Sequence, residues 1–61
     1  MSDEPKNAVG YIVTAGGRKI YCDVIIIGVK NREYAYHEIG KPPVLSKLPF
    51  YDVKEYSELG P

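Results

Sequence analysis

The chain has 61 residues, 8 Lys+Arg against 8 Asp+Glu, a formal net charge of +0, 44% apolar residues and 11% aromatics, with 6 Tyr, 1 Phe and no Trp. That size allows one small domain with a thin core and disfavours an enzyme with a walled pocket of its own. Zero net charge gives no bulk drive toward nucleic acid, the single Cys22 rules out an internal disulfide, and the longest apolar run, Val24 to Ile27, is far too short to span a bilayer.

Residues 1–7 are polar after Met1 and read as a solvated arm. The acidic start Met1-Ser2-Asp3-Glu4-Pro5 does not resemble a signal peptide, so a cytoplasmic location is expected. Residues 8–15 alternate, with Val9, Tyr11, Val13 and Ala15 on one side and Gly10, Ile12 and Thr14 on the other, as a strand requires. Gly16-Gly17 fits the two central positions of a tight hairpin turn, where positive φ is needed. A two-residue turn pairs Ala15 with Arg18, Val13 with Ile20, Tyr11 with Cys22 and Val9 with Val24. It leaves Ile12, Thr14, Lys19, Tyr21 and Asp23 on the wetter face.

The second strand loses its alternation from Val24 to Ile27. A strand apolar on both sides is one covered on both sides. This strand is therefore expected to be central, with its second half capped by another segment and Gly28 available for a bend or bulge. Lys30-Asn31-Arg32 reads as a turn with Asn31 in left-handed backbone, and Glu33 to Ile39 as a third strand. A two-residue loop would pair Ile27 with Tyr36 and turn His37 toward the core. A three-residue loop would move Tyr34 and Tyr36 to the Val24/Ile26 face and turn His37 outward, and packing favours it.

Gly40-Lys41-Pro42-Pro43 ends the sheet. An extended stretch is expected from Lys41 to Leu48. Beyond Pro49, Phe50, Val53, Tyr56 and Leu59 recur every three residues, the stripe of a short helix from about Phe50 to Glu58, with Gly60-Pro61 as its stop. The expected fold is a small β-rich (α+β) domain: a three-stranded antiparallel meander with the C-terminal extended segment and short helix packed over one face. A domain this small, with no disulfide and no set of zinc ligands, has little margin of stability. With strand one exposed as a weakly charged edge, that margin favours completion by a partner or a second copy.

Few residues carry a signal for chemistry. Cys22 has no base beside it and reads as a small buried hydrophobe rather than a nucleophile. His37, flanked in sequence by Tyr36 and Glu38 on the opposite strand face, has no residue to orient it as a base. The carboxylates Asp23, Glu33, Glu38, Asp52, Glu55 and Glu58 are dispersed, the last three as one wet helix face, and Gly16-Gly17 lacks the lysine and helix of a phosphate loop. No catalytic residue, metal, cofactor or membrane contact is expected.

Two binding readings remain. Tyrosine joins apolar area to a polar tip and anchors protein interfaces. Phe50, Tyr51 and Tyr56, with the hairpin tips Arg18, Lys19 and Arg32, are the expected contacts of a non-enzymatic protein-binding module: a subunit, adaptor or inhibitor of a larger partner, or a self-associating accessory factor. The alternative is a small β-fold nucleic-acid binder using Tyr21, Arg18, Lys19, Lys30 and Arg32. Residues 18–47 hold six basic side chains against Asp23, Glu33 and Glu38, and aromatic platforms with basic edges bind single strands.

Overall fold

The computed structural model describes residues 5–59. Five strands form one sheet: β1 (Gly10–Thr14), β2 (Lys19–Gly28), β3 (Glu33–Glu38), β4 (Ser46–Pro49) and β5 (Val53–Glu58), with a single 3-10 turn, Phe50–Asp52, between the last two. The order across the sheet is β4-β3-β2-β1-β5, every neighbour antiparallel. The expected three-stranded meander is not the sheet that forms: β3, β2 and β1 are the inner strands of a five-stranded sheet, with β2 at its centre. The C-terminal third of the chain departs from expectation: it extends the sheet on both sides instead of crossing a face as a helix. Of the polar arm expected over 1–7, residues 1–4 lie outside the described residues; the rest enters a turn closed by the Ala8 N–H on the Pro5 carbonyl at 3.2 Å. The Gly60-Pro61 stop also lies outside them.

In the period of three at Phe50, Val53 and Tyr56, the first interval spans the 3-10 turn and the second comes from a bulge. Val13 pairs with Glu55 and Thr14 with Val53, so Lys54 is an extra residue in β5. An extra residue puts side chains three apart on one face, and Val53 and Tyr56 both pack against the core. β2 uses the same device. Its pairing with β3 slips between Cys22 and Val24, the extra residue is Asp23, and Cys22 and Ile25 both turn inward.

Both hairpin loops are longer than expected. The first holds Ala15, Gly16 and Gly17: the Gly17 N–H donates to the Thr14 carbonyl at 2.9 Å and the Thr14 N–H to the Arg18 carbonyl at 2.8 Å. Only Gly17, at φ 89, needs left-handed backbone, as in a turn closed by a glycine bulge. The register moves by one residue, to Ile12 opposite Ile20, Tyr11 opposite Tyr21 and Gly10 opposite Cys22. The slip puts apolar Ile12 and Ile20 inside and leaves the hydroxyls of Tyr11 and Tyr21 near water. The second loop runs from Val29 to Arg32, with Arg32 rather than Asn31 left-handed at φ 54. Neither expected register forms: Tyr34 faces Ile27, Tyr36 faces Ile25 and His37 faces Val24, with His37 on the outer side.

The core is Ile12, Ile20, Cys22 and Tyr36, with Ile25, Tyr34, Leu48, Val53 and Tyr56 packed around it. All five strands contribute, so the sheet wraps around its own inner face. β1 is no edge, because β5 covers it. The second half of β2 is not capped as expected: Val24, Ile26 and Ile27 are 40%, 53% and 44% exposed. The segment expected to lie over it pairs instead with β1 and β3.

Candidate interaction surface

The outer faces of β2, β3 and β4 share two rows set by the register. Val24 sits beside His37, and Ile26 beside Ala35 and then Lys47. The loop from Ile39 to Leu45 folds back along the first row. It is held by the Lys41 N–H on the Glu38 carbonyl at 3.2 Å and the Val44 N–H on the Pro42 carbonyl at 2.7 Å. The result is a shallow groove of about 240 Å³ lined by Asp23, Val24, His37, Pro43, Val44 and Leu45. Val44 is 70% exposed and Leu45 47%. Across the second row Lys47 Nζ meets Glu33 Oε2 at 3.5 Å. Apolar side chains thus fill the middle and charges paired within the chain lie at the rim.

His37 fixes the loop. Its Nδ1 lies 2.6 Å from Asp23 Oδ1, and its Nε2 lies 3.0 Å from the Lys41 carbonyl oxygen and 3.1 Å from that of Pro42. A carboxylate and two carbonyls can only accept, so the arrangement is fully satisfied when both ring nitrogens carry a proton. The Asp23 hydrogen bond raises the proton affinity above the ordinary value of 6.5, the Lys41 carbonyl adds to it, and desolvation opposes both. The bulge at Asp23 puts the carboxylate within reach, and it is the orienting residue that sequence neighbours did not supply. The ring clamps β2, β3 and the loop together.

The aromatic contacts expected from sequence divide. Tyr51 is 88% exposed and borders a second shallow groove with Asn31, Arg32, Pro49 and Phe50. Phe50 is half-buried against Tyr34, with ring centres 5.1 Å apart, and its N–H donates to the Arg32 carbonyl at 2.8 Å. Tyr56 belongs to the core shell, its hydroxyl donating to Glu58 at 3.0 Å. Burial, then the Glu58 contact, raises its pKa. Phe50, Tyr51 and Arg32 therefore meet at one end of the sheet. Arg18 and Lys19 sit at the opposite hairpin, where Arg18 pairs with Glu38 at 3.2 Å.

The residues of the nucleic-acid reading are engaged with one another. Tyr21 meets Tyr11 edge to face at 5.9 Å. Lys19 Nζ lies 4.2 Å from the Tyr11 ring centre and 5.1 Å from that of Tyr21. Tyr11 donates its hydroxyl to Glu55 at 2.8 Å, which brings an acid to the platform. Lys30 and Arg32 lie exposed on the far hairpin.

Cys22 is buried, with its thiol against the Ile20 carbonyl at 3.5 Å. Burial, then Glu38 and Asp23, pushes its pKa up to about 11, which suppresses the thiolate that a nucleophile or ligand needs. Among the described residues no three His, Cys, Asp or Glu side chains converge as a metal site requires, and no helix is long and apolar enough to cross a membrane. No protein-family model, curated protein or solved structure matches the chain. Sequence reasoning missed Val24, Ile26, Val44 and Leu45 as surface residues. The non-alternating run at Val24 was the available signal, but it pointed to cover within the same chain.

Proposed function

We propose that this chain is a non-enzymatic protein-interaction module that docks through the outer face of β2, β3 and the loop before β4. The observation that carries this reading is the uncovered apolar set Val24, Ile26, Val44 and Leu45. Single exposed apolar residues are ordinary, but a contiguous group with a charged rim is typical of a binding surface. The rim charges are paired, Asp23 with His37 and Glu33 with Lys47, so a partner need not neutralise them. Tyr51, beside Phe50 and Arg32, offers an accessory contact at the same hairpin end as Ile27 and Val29.

The nucleic-acid reading has weaker support. Arg18 is neutralised by Glu38 and the Tyr11/Tyr21 rings are occupied by Lys19, whereas a stacking platform needs open ring faces.

Site-specific photo-crosslinking in native lysate tests the choice. A crosslinker at Ile26 or Val44 is expected to capture protein, including other copies of the chain, and one at the exposed Lys54 to capture far less. Equal and sparse capture at all three positions overturns the proposal. Crosslinks to nucleic acid from Tyr21, lost as salt is raised, favour the alternative.

A further inference from the structure

β2 is 10 residues long, but β1 pairs with it only as far as Cys22. The bulge at Asp23 ends that pairing. From Val24 to Gly28 the strand has β3 on one side and, among the described residues, no strand on the other. An open edge presents unpaired backbone N–H and C=O groups, and proteins blunt such edges with charges, prolines or short length. The outer edges here follow that rule. β4 has four residues, with Lys47 within it and Pro49 at its end; β5 carries Lys54, Glu55 and Glu58. The open half of β2 carries neither a charge nor a proline. Val24-Ile25-Ile26-Ile27-Gly28-Val29 is uncharged, and Val24, Ile26, Ile27 and Val29 are exposed. A run apolar on both faces is built for cover on both faces, and the described residues of one copy do not supply it.

We infer that two copies pair antiparallel along this edge, Val24–Gly28 against the same segment with Ile26 at the two-fold, so that β4-β3-β2 of one copy continues into β2-β3-β4 of the other. The ends of the segment select a second copy as the occupant. Asp23 precedes the run and Lys30 follows it, with the Asp23 side chain 37% exposed and Lys30 exposed. A two-fold antiparallel arrangement brings the Asp23 end of each copy, where one carboxylate oxygen already holds His37, to the Lys30 end of its partner, so that no like charges are opposed. The middle of the segment holds no charge to desolvate. The two-fold axis stands perpendicular to the joined sheet, so Val24 and Ile26 of both copies fall on one outer face and form a continuous apolar strip with Val44 and Leu45. This inference rests on the interaction-module reading and names its partner.

Sedimentation of the full chain across a wide concentration range, together with amide hydrogen exchange, tests it. The expected result is a species of twice the 6.8 kDa chain mass that dissociates on dilution. Alternate amides from Val24 to Gly28 should gain protection in step with dimer formation. Ile26→Lys, at an exposed position, should leave the far-UV spectrum unchanged and give a monomer. A parent that stays monomeric at every concentration overturns the pairing, as does a dimer without protection in that segment. A monomer that still crosslinks another protein through Ile26 overturns the second copy as occupant and leaves the broader module reading standing; a monomer that crosslinks nothing overturns both.

Discussion

Tyr34 on β3 and Tyr56 on β5 lie 5.6 Å apart, ring centre to ring centre, although β2 and β1 separate their strands in the sheet. A flat sheet would hold β3 and β5 about 14 Å apart at the usual spacing between strands, so this contact measures how far the sheet has curled. Phe50 completes the cluster at 5.1 Å from Tyr34. The three rings close the open side between β4 and β5, where no backbone ladder runs.

Coupling between Tyr34 and Tyr56 should therefore be measurable. Leucine at either position removes the ring contact while keeping apolar volume, and each single variant should unfold at lower urea. In a double-mutant cycle the coupling should be about 0.5–1.5 kcal/mol, the range for aromatic pairs. Alanine is a poor choice, because losing a large core ring costs about 3–5 kcal/mol, a large share of the stability of so small a domain. Strictly additive leucine effects would mean that the two rings do not support each other.

The glycines separate into those the fold requires and one it does not. A Cβ at Gly10 would sit 2.6 Å from the Ser57 carbonyl oxygen and 3.0 Å from Ile25 Cδ1, so Gly10→Ala forces β5 away from β1 and should cost about 1–3 kcal/mol, as overpacking does. Gly17 at φ 89 has open space around it; Gly17→Ala should lose about 1 kcal/mol through backbone strain alone. Gly16→Ala, nearest Thr14 Oγ1 at 3.9 Å and without positive φ, should change stability by less than about 0.5 kcal/mol. Thermal melts of the three variants check the ranking, and a Gly16 variant as damaged as the Gly10 variant would contradict the loop geometry.

The sequence made the first three strands legible because alternation at Val9–Ala15 and strand formers at Tyr34 and Tyr36 are local signals. Register was not legible, because it depends on loop length. Gly16-Gly17 suits a two-residue turn as well as it suits the three-residue loop that forms. The bulges at Asp23 and Lys54 were invisible for a related reason: each gives residues three apart a common face, and in β5 that spacing imitates a helix. The run at Val24 does not alternate, and the cover on both faces that this pattern implied is not supplied by the C-terminal segment, which leaves Val24, Ile26 and Ile27 exposed. Which segment would provide the cover was a question of topology. β5 went to the Tyr11 side of the sheet, leaving Val24 and Ile26 open.

Phe50 and Tyr51 are adjacent in sequence and opposite in environment, so they separate core from contact residue. Tyr51, 88% exposed, should tolerate alanine with a stability change under about 0.5 kcal/mol. Phe50→Ala removes the ring against Tyr34 and opens the closure between β4 and β5, with an expected cost of about 2 kcal/mol, below that of a fully buried ring. Urea midpoints of the two variants make the comparison. If Tyr51→Ala were the more damaging, the 3-10 turn would have to present the other side chain inward. A stable Tyr51 variant with weakened partner capture would place Tyr51 in the docking surface.

His37 sets the last expectation, in pH. Its proton affinity in the folded chain is raised above 6.5 by Asp23 and the Lys41 carbonyl, so folding favours the imidazolium. The stabilisation is then fully present below the unfolded value near 6.5 and is lost as the pH rises through the higher folded value. A neutral ring has one N–H and cannot serve both Asp23 and the loop carbonyls. Above the folded midpoint, then, the segment over Val24 should loosen and the Val44 amide should exchange faster. An NMR titration of the His37 ring protons should give a midpoint above 6.5. Asp23→Asn should bring it down, and His37→Gln should flatten the stability profile across neutral pH. A midpoint at or below 6.5 in the folded chain would mean that the ring is neutral and holds only one side of the clamp.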